Sequence, residues 1–492
     1  MAITAFLVAG AGSGWGGIAD GGDGHLYAVP YKATTFGKVD PAGPSLTTFG
    51  SASPTADRYL SAIRSGGRVW AAPYGDSGTT VQAAEIDPSS GTVALHDPPS
   101  AGLASWGMII AAGGFLWATP VKSGRRLYRI NPGTATAELW PPPIDVLDDF
   151  TRSPGPIGGG WTTLIGSGWT ISPSGSARPP TGECTIRSPS GSYSDVAVAA
   201  TITGSFSTWQ YVGVTARMAD ANNLYLAQVN GAGTLSLYRR VSGTWTQIGA
   251  DVSTGASGVL ALRAHGTTIS TFWNDVPVHS VTDSAHSSGS IGMRADSATG
   301  AAVTSFGLFH APIPVGAGTE PQQGVAAAGG DLFLTPGTRS NIIRFHSSTG
   351  AFTEFGGPFT TKWLGAVTAP NGLIYCPPQD AGDVLVINPT TETTSTIATP
   401  SRGSGEGWGM PHLAADGLIY CPPWASGSVL VIDPSAATAH ALGSGLSGTF
   451  LQFGTINGTR LVAVPVAGST SFLVVDDISP TRNGWAVGRL AW

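Results

Sequence analysis

Two residues near the C-terminal end of the chain could share acid–base chemistry. Glu406 precedes His412 by six residues, and a carboxylate close to an imidazole can move protons near neutral pH. Such a pair would fit an enzyme that cleaves a polysaccharide or a lactone. The alternative is that His412 is a hydrogen-bonded core histidine, because the equivalent positions elsewhere in the chain are apolar. Paired carboxylates at matching positions, which a glycosidase needs, are not found in the sequence.

Aromatic residues recur at spacings that could build a ligand-binding surface. Aromatic rings present apolar faces to sugars and are enriched at interfaces. We predict that seven of them collect on one rim and bind ligand: Trp15, Tyr31, Tyr74, Trp106, Trp363, Trp408 and Trp424. The competing interpretation is that the tryptophans close to a glycine wedge between repeats, which would leave only the loop residues Tyr31, Tyr74 and Trp424.

A repeat must position these residues. An apolar dipeptide followed three residues later by proline occurs seven times, ending at Pro30, Pro73, Pro120, Pro336, Pro378, Pro423 and Pro465. Successive prolines lie 43, 47, 216, 42, 45 and 42 residues apart. A period in the low forties with strand-like segments is typical of a β-propeller with one four-stranded blade per repeat. The long gap leaves room for a whole inserted domain.

The ends of the chain predict how the ring closes. The last repeat lacks an obvious fourth strand, whereas residues 3–9 form an apolar strand without a repeat of their own. We therefore predict that the N-terminal strand completes the seventh blade, which removes the open edges of the ring. The tail, residues 483–492, is left over as an extra outer strand or a partner contact.

The predicted fold class is therefore all-β: a seven-bladed β-propeller closed by the N-terminal strand and interrupted after blade 3 by a jelly-roll β-sandwich. Blades 1–3 take residues 1–143, the insertion residues 144–314, and blades 4–7 residues 315–482. High glycine content with short apolar runs agrees with many tight turns between short strands.

The insertion resembles the concanavalin A-like jelly roll of laminin-G and legume-lectin domains. The resemblance rests on an opening Asp149-Phe150, a strand ending in Arg217, an Asn223-x-Tyr225 strand and a closing Gly289-x-Ile291-Gly292. It implies sugar binding on a concave sheet face or at loops, and often a calcium ion.

On the matching positions, the resemblance implies that the ligand-binding residues are Arg217, Tyr225, Gln228, Tyr238 and Trp273, and that weak calcium candidates are Asp220, Asn222 and Asn223. Purely structural roles are the alternative for both groups of residues. Tyr225 and Trp273 could be ordinary strand residues of the core, and the Asp220 sequence could simply cap a turn.

Part of the repeat, Asn341-Ile342-Ile343-Arg344-Phe345, resembles the propeller family of virginiamycin B lyase. That family uses a metal and a histidine near its channel, so the resemblance makes a lyase acting at the channel mouth through His412 and Glu406 the alternative function. Apart from calcium, no cofactor is expected.

Composition limits the partners. The 492 residues carry 24 Lys and Arg against 30 Asp and Glu, a net charge of −6, which offers no basic field for nucleic acid. No apolar run is long enough for membrane insertion. The N-terminal residues carry no Lys or Arg, so we expect no signal peptide and synthesis in the cytoplasm.

A sugar-binding protein made in the cytoplasm and used outside resembles a bacteriophage minor tail or receptor-binding protein. This resemblance implies an adhesin without catalysis in the virion tail, binding host cell-surface glycan and other tail proteins. Multiple copies, for example a homotrimer, would add avidity. The further alternative is a structural tail spacer.

Overall fold

The structure is a computed structural model that describes residues 3–7, 14–42, 45–52, 58–74, 82–96, 106–120, 126–140, 144–310, 322–337, 340–347, 352–401, 407–456, 458–469, 471–476 and 478. The chain divides into two compact units. The propeller unit consists of Met1–Pro141 and Ile313–Trp492, and the two-sheet unit of Pro142–Pro312. Every regular element in these described ranges is a β-strand.

Seven antiparallel sheets of four strands make up the propeller unit. The chain starts with β1 (Ile3–Leu7). Blades one to three follow as β2 (Trp15–Asp20), β3 (Leu26–Pro30), β4 (Phe36–Asp40), β5 (Ser45–Phe49), β6 (Tyr59–Ser65), β7 (Arg68–Pro73), β8 (Ala83–Asp87), β9 (Thr92–His96), β10 (Trp106–Ala112), β11 (Phe115–Pro120), β12 (Leu127–Asn131) and β13 (Thr136–Trp140).

The two-sheet unit follows blade three. Its strands are β14 (Ile144–Asp148), β15 (Gly155–Pro156), β16 (Thr162–Ile165), β17 (Thr170–Ile171), β18 (Ala177–Arg178), β19 (Glu183–Arg187), β20 (Val196–Gly204), β21 (Tyr211–Asp220), β22 (Asn223–Asn230), β23 (Thr234–Val241), β24 (Thr244–Ser253), β25 (Gly258–His265), β26 (Thr268–Trp273), β27 (Val276–Thr282), β28 (Ser290–Asp296) and β29 (Ala301–Phe309).

Blades four to seven complete the chain as β30 (Gln322–Ala328), β31 (Asp331–Pro336), β32 (Ile342–Phe345), β33 (Phe352–Phe355), β34 (Val367–Thr368), β35 (Ile374–Cys376), β36 (Val384–Asn388), β37 (Thr393–Ile397), β38 (His412–Leu413), β39 (Ile419–Cys421), β40 (Val429–Asp433), β41 (Thr438–Leu442), β42 (Thr449–Ile456), β43 (Arg460–Ala467) and β44 (Ser471–Asp476).

The N-terminal strand closes the ring, as the sequence predicts. β1 pairs antiparallel with β44, from Ile3 opposite Val475 to Leu7 opposite Ser471. The seventh blade therefore has the strand order β42-β43-β44-β1 and combines both ends of the chain. The predicted tail, residues 483–492, lies outside the described residues.

Neighbouring blades are held together by apolar side chains. Each of the seven blade-to-blade junctions has its own hydrophobic cluster. The third strand of a blade is buried on both faces because it packs against a blade on either side, which is why β40 carries the run Val429-Leu430-Val431-Ile432 without alternation.

The two-sheet unit contains one nine-stranded and one seven-stranded sheet. The seven-stranded sheet has the order β16-β19-β28-β21-β22-β23-β24. The other follows β15-β17-β18-β29-β20-β25-β26-β27, with β14 also paired to β29. Both sheets contribute to one core, for example Val198 and Leu262 from the nine-stranded sheet and Val214 and Met293 from the seven-stranded sheet. The side chains on the opposite face of the seven-stranded sheet do not belong to this core and include a small apolar cluster around Met218, Leu224 and Leu226.

Candidate functional site

Strand alternation places a group of polar residues on the face of the seven-stranded sheet that is turned away from the core. Cys184 and Ile186 of β19 belong to the core. Because successive side chains of a strand point to opposite faces, Glu183 and Thr185 lie on the other face. Arg294 of β28 does too, and it is the direct cross-strand partner of Thr185.

A glycine lets this polar group extend across the sheet. Gly213 of β21 lies between Arg294 and Gln228 in the ladder. Since no side chain stands there, the Arg294 guanidinium reaches Gln228, and its Nη1 donates to Gln228 Oε1 at 3.0 Å. We call Glu183, Thr185, Gln228 and Arg294 the polar patch.

Two guanidinium groups lie beside Glu183, and both also lie over the same aromatic ring. Glu183 Oε1 lies 3.3 Å from Arg294 Nη2 and 3.6 Å from Arg240 Nη1. The two guanidinium carbons lie 5.0 and 4.8 Å from the ring centroid of Trp245, within cation–π range. The Glu183 side chain remains 36% exposed, so the polar patch is open to solvent on this side.

Three polar atoms of the polar patch are buried without a hydrogen bond: Glu183 Oε1, Thr185 Oγ1 and Arg294 Nε. The residues themselves are deeply placed, since Thr185 is 0% and Arg294 8% exposed. A buried polar atom without a partner costs on the order of 1–3 kcal/mol. Three of them on one face of two paired strands indicate groups that a ligand would satisfy.

The far edge of the same face is also polar. Ser236 of β23, opposite Gln228, donates to Asp251 Oδ1 at 2.6 Å, and Gln247 Nε2 donates to the same oxygen at 2.7 Å. Burial, together with the nearby Asp251 charge, raises the pKa of Tyr238, so its hydroxyl stays protonated and able to donate.

Comparison with known proteins gives the fold. No protein-family model and no curated protein matches the sequence. A streptogramin B lyase structure aligns at a TM-score of 0.50 with 10% identity, over 96% of this chain and 97% of that chain. The chain shares the seven-bladed β-propeller fold. At this identity, nothing beyond the fold follows.

Two further structures are similar at lower scores. Virginiamycin B lyase from Staphylococcus aureus has a TM-score of 0.49 and 10% identity, with 96% of this chain and 98% of that chain covered. The carbohydrate binding module CBM66 from Bacillus subtilis has 26% identity and a TM-score of 0.28, with 30% of this chain and 95% of that chain covered.

The structure corrects three of the candidates expected in the insertion. Tyr225 of β22 and Trp273 of β26 are both buried in the core between the two sheets. In β22 the odd-numbered residues point inward. Arg217 is buried as well, and it donates to the carbonyl oxygens of Ser194 at 2.6 Å and of His286 at 2.9 Å. These residues stabilise the unit and do not face a ligand. Gln228 and Tyr238 do lie on the outer face.

The expected calcium ligands cap a turn, and calcium binding by them stays a prediction. Asp220 Oδ1 accepts from the Asn222 amide at 2.7 Å, and both carboxylate oxygens accept from the side-chain amide of Asn223 at 3.0 Å. The side-chain oxygen Oδ1 of Asn223 accepts from the Ser242 amide at 2.9 Å. Oxygens that should converge on an ion are thus used within the hairpin. Across the described residues, no three His, Cys, Asp or Glu side chains form a possible metal site.

The predicted aromatic rim is mostly core. Trp15, Trp106, Trp363 and Trp408 are all buried. Each belongs to a cluster between two blades, and the indole N–H of Trp408 donates to the Ser428 carbonyl at 2.8 Å. The prediction of a ligand-binding rim is wrong for these four, since the first strand of each blade needs an apolar wedge against its neighbour.

The three loop aromatics differ. Tyr74 is buried and lies 6.1 Å, ring to ring, from half-buried Tyr31. Trp424 is half-buried and packs against the cluster between blades three and four. Tyr31 and Trp424 keep part of their surface exposed, so their binding role stays a prediction.

His412 sits on the innermost strand of blade six, β38, and its Nε2 pairs with the Thr455 hydroxyl of blade seven. Burial lowers the pKa of His412 to about 4, which keeps the ring neutral at physiological pH. The predicted partner, Glu406, lies outside the described residues.

In the part of the chain that the structure describes, no helix has the length and apolarity to cross a membrane.

Sequence reasoning missed Glu183, Thr185, Arg294 and Trp245. A signal existed in the alternation Glu183-Cys184-Thr185-Ile186-Arg187, which is typical of a strand with one polar and one buried face. The sequence could not show that Arg294 becomes the cross-strand partner of Thr185, because the two residues lie more than a hundred positions apart.

Proposed function

We propose that this protein binds a glycan without cleaving it, through the polar patch of the two-sheet unit. The observation that carries the proposal is the set of three buried polar atoms without a hydrogen bond on Glu183, Thr185 and Arg294. Of these, Glu183 Oε1 has ion-pair contacts alone. Sugars present many hydroxyl groups, each of which can donate and accept, so one ring can satisfy all three.

The chemistry of the polar patch fits adjacent sugar hydroxyls. The Glu183 carboxylate accepts from one hydroxyl, while Arg294 Nε donates to the oxygen of the next. The Thr185 hydroxyl can act either way. Because two guanidinium groups already lie over the ring of Trp245, recognition here relies on polar contacts more than on stacking.

The two-sheet unit is proposed to be a lectin-type jelly roll of the concanavalin A-like class, inserted between blades three and four. Two antiparallel sheets around a single core support this, as does the polar patch on the outer face of one of them. The proposed ligand-binding part is therefore this unit, and the propeller carries it.

The proposed place of action is a bacteriophage tail, where the protein would be a minor tail or tail-tip adhesin for host cell-envelope glycan. Support comes from the sequence alone: a surface poor in charged residues, and a net charge that does not suit nucleic acid. Other tail proteins would be its partners, in multiple copies. Mass spectrometry of purified particles tests this, and absence of the chain from every particle that binds host cells would refute it.

The competing hypothesis is a lyase that acts through His412. Its geometric support is the position of His412 on an innermost propeller strand. A spacer without ligand is the third hypothesis. Incubating the protein with host glycan and measuring released fragments separates the lyase from the binder, and failure to bind any host wall would favour the spacer.

Binding by the purified full chain to host wall polysaccharide tests the proposal. We expect Glu183→Gln, Arg294→Gln and Thr185→Val each to weaken binding, the two charge changes by roughly 10–100-fold. The matched control is Glu138→Gln, which removes a carboxylate paired with Arg129 in the propeller unit, and it should bind normally. Unfolding curves of all variants must stay cooperative. Unchanged binding by the three patch variants would refute the proposal.

A further inference from the structure

A cavity lies beside the polar patch. It has a volume of about 660 Å³ and opens at the ends of β19, β21 and β28, lined among others by Arg187, Ser192, Met218, Ser288 and Ser290. Arg187 is the next residue after Thr185 on the same face of β19. Two residues along a strand correspond to about 7 Å, so a ligand on the polar patch can extend into the cavity.

The guanidinium of Arg187 has no counterion among the residues that the structure describes. Residues 144–310 contain eight arginines and no lysine. Six of these arginines donate to carboxylates or carbonyl oxygens: Arg152, Arg178, Arg217, Arg239, Arg240 and Arg294. The side chains of Arg187 and Arg263 have no hydrogen bond or ion pair to any residue that the structure describes. Of these two, only Arg187 lines the cavity.

The rest of the cavity wall is neutral and rich in donors. No carboxylate is among its lining residues, all of which are described. The hydroxyls of Ser192 and Ser288 are exposed, whereas Ser290 donates to the Met218 carbonyl at 2.8 Å. At Gly289 the backbone packs directly against that of Arg217, because a Cβ there would lie 2.4 Å from the Arg217 carbonyl carbon.

An uncompensated guanidinium next to free hydroxyls favours an oxyanion. Arginine offers a planar fork of donors that matches phosphate and carboxylate groups, and a partly enclosed site strengthens the attraction over that in water. A neutral sugar alone would leave this charge unused.

We infer that the cavity binds the oxyanion of an acidic glycan whose neighbouring sugar occupies the polar patch. The group is a phosphodiester or a carboxylate. This inference rests on the proposed function and names the class of glycan that it concerns.

The test measures binding of the full chain to three probes: a neutral polysaccharide, a phosphodiester-linked wall polymer and a uronate-containing polysaccharide. We expect at least one acidic probe to bind more tightly than the neutral one. Arg187→Gln should weaken the acidic probe by at least ~10-fold and leave the neutral probe unchanged, while Arg187→Lys should retain part of the affinity. Arg263→Gln, the matched control, should have no effect.

The outcomes separate the two claims. The acidic probe that loses affinity in Arg187→Gln identifies the anion as phosphate or carboxylate. Equal binding of acidic and neutral probes, with no effect of Arg187→Gln, overturns the inference but leaves the proposed function intact. If the native chain binds none of the probes and no host wall, both fail.

Discussion

The side chain of Gln452 in blade seven hydrogen-bonds both backbone groups of Ala62 in blade two. Its Oε1 accepts from the Ala62 amide at 3.1 Å, and its Nε2 donates to the Ala62 carbonyl at 2.9 Å. The two residues are 390 positions apart in sequence. Gly17 of blade one makes the bridge possible, because a Cβ there would lie 2.3 Å from Gln452 Oε1. The bridge therefore joins blade seven to blade two independently of the closing strand.

Removing this bridge should loosen the ring. We expect Gln452→Ala to lower the free energy of unfolding by about 1–2 kcal/mol, since two hydrogen bonds to backbone groups are lost. Gly17→Ala should cost about 1–3 kcal/mol by forcing the bridge and the Ala62 strand apart. Gly382→Ala is the control, since its Cβ would meet nothing within 4 Å. Urea unfolding monitors all three, and equal stability of Gly17→Ala and Gly382→Ala would contradict the finding.

The buried tryptophans should be structural. Trp408→Ala removes a wedge between blades five and six and leaves the Ser428 carbonyl without its donor, so we expect a loss of about 3–5 kcal/mol. Affinity for glycan should not change once the variant is shown to be folded. Trp209→Ala is the matched control, because Trp209 is 77% exposed and its removal should change stability by less than ~0.5 kcal/mol. A stable Trp408→Ala variant with lost binding would restore the ligand-binding rim.

The sequence predicts the length of the blade repeat better than it predicts which face of a strand is buried. The proline spacing predicted seven blades because each blade must end its second strand where pairing stops. The same spacing could not separate a rim tryptophan from a wedge, since both begin a first strand. In β22 both faces are apolar: Leu224 and Leu226 on one, Tyr225 and Ala227 on the other. Alternation there gives two faces but not the one that meets the second sheet.

Substitution of Tyr225 tests directly which face of β22 meets the second sheet. Its hydroxyl donates to Asp283 at 2.7 Å and accepts from the His286 amide at 3.2 Å, so Tyr225→Phe should destabilise the two-sheet unit by about 1–2 kcal/mol. Glycan affinity should remain, in contrast to Arg294→Gln. Loss of binding without loss of stability would mean that Tyr225 faces the ligand.

The hydroxyl of Tyr225 should also make the free energy of unfolding fall at alkaline pH. Burial, followed by the bond to Asp283, raises the pKa of Tyr225 to about 12. A raised pKa contributes stability that is complete below pH ~10 and is lost as the pH rises through about 12. Tyr225→Phe should therefore flatten the decline of stability over this range, measured by urea unfolding at several pH values. Parallel curves for both proteins would refute the assigned hydrogen bond.

Burial of His412 should make the free energy of unfolding fall at acidic pH. The variant that tests this, His412→Gln, also tests the lyase hypothesis. Its folded-state pKa of about 4 is below the usual value, so its contribution to stability is present above pH ~6.5 and is lost as the pH falls towards 4, by at most about 3 kcal/mol. His412→Gln should be less sensitive to pH over this window than the native chain, measured by urea unfolding at several pH values. If His412 is only a core histidine, its substitution changes these unfolding curves and nothing else. Because a lyase would also need the imidazole to move a proton, loss of glycan cleavage with unchanged glycan binding in His412→Gln would show that the propeller acts as an enzyme.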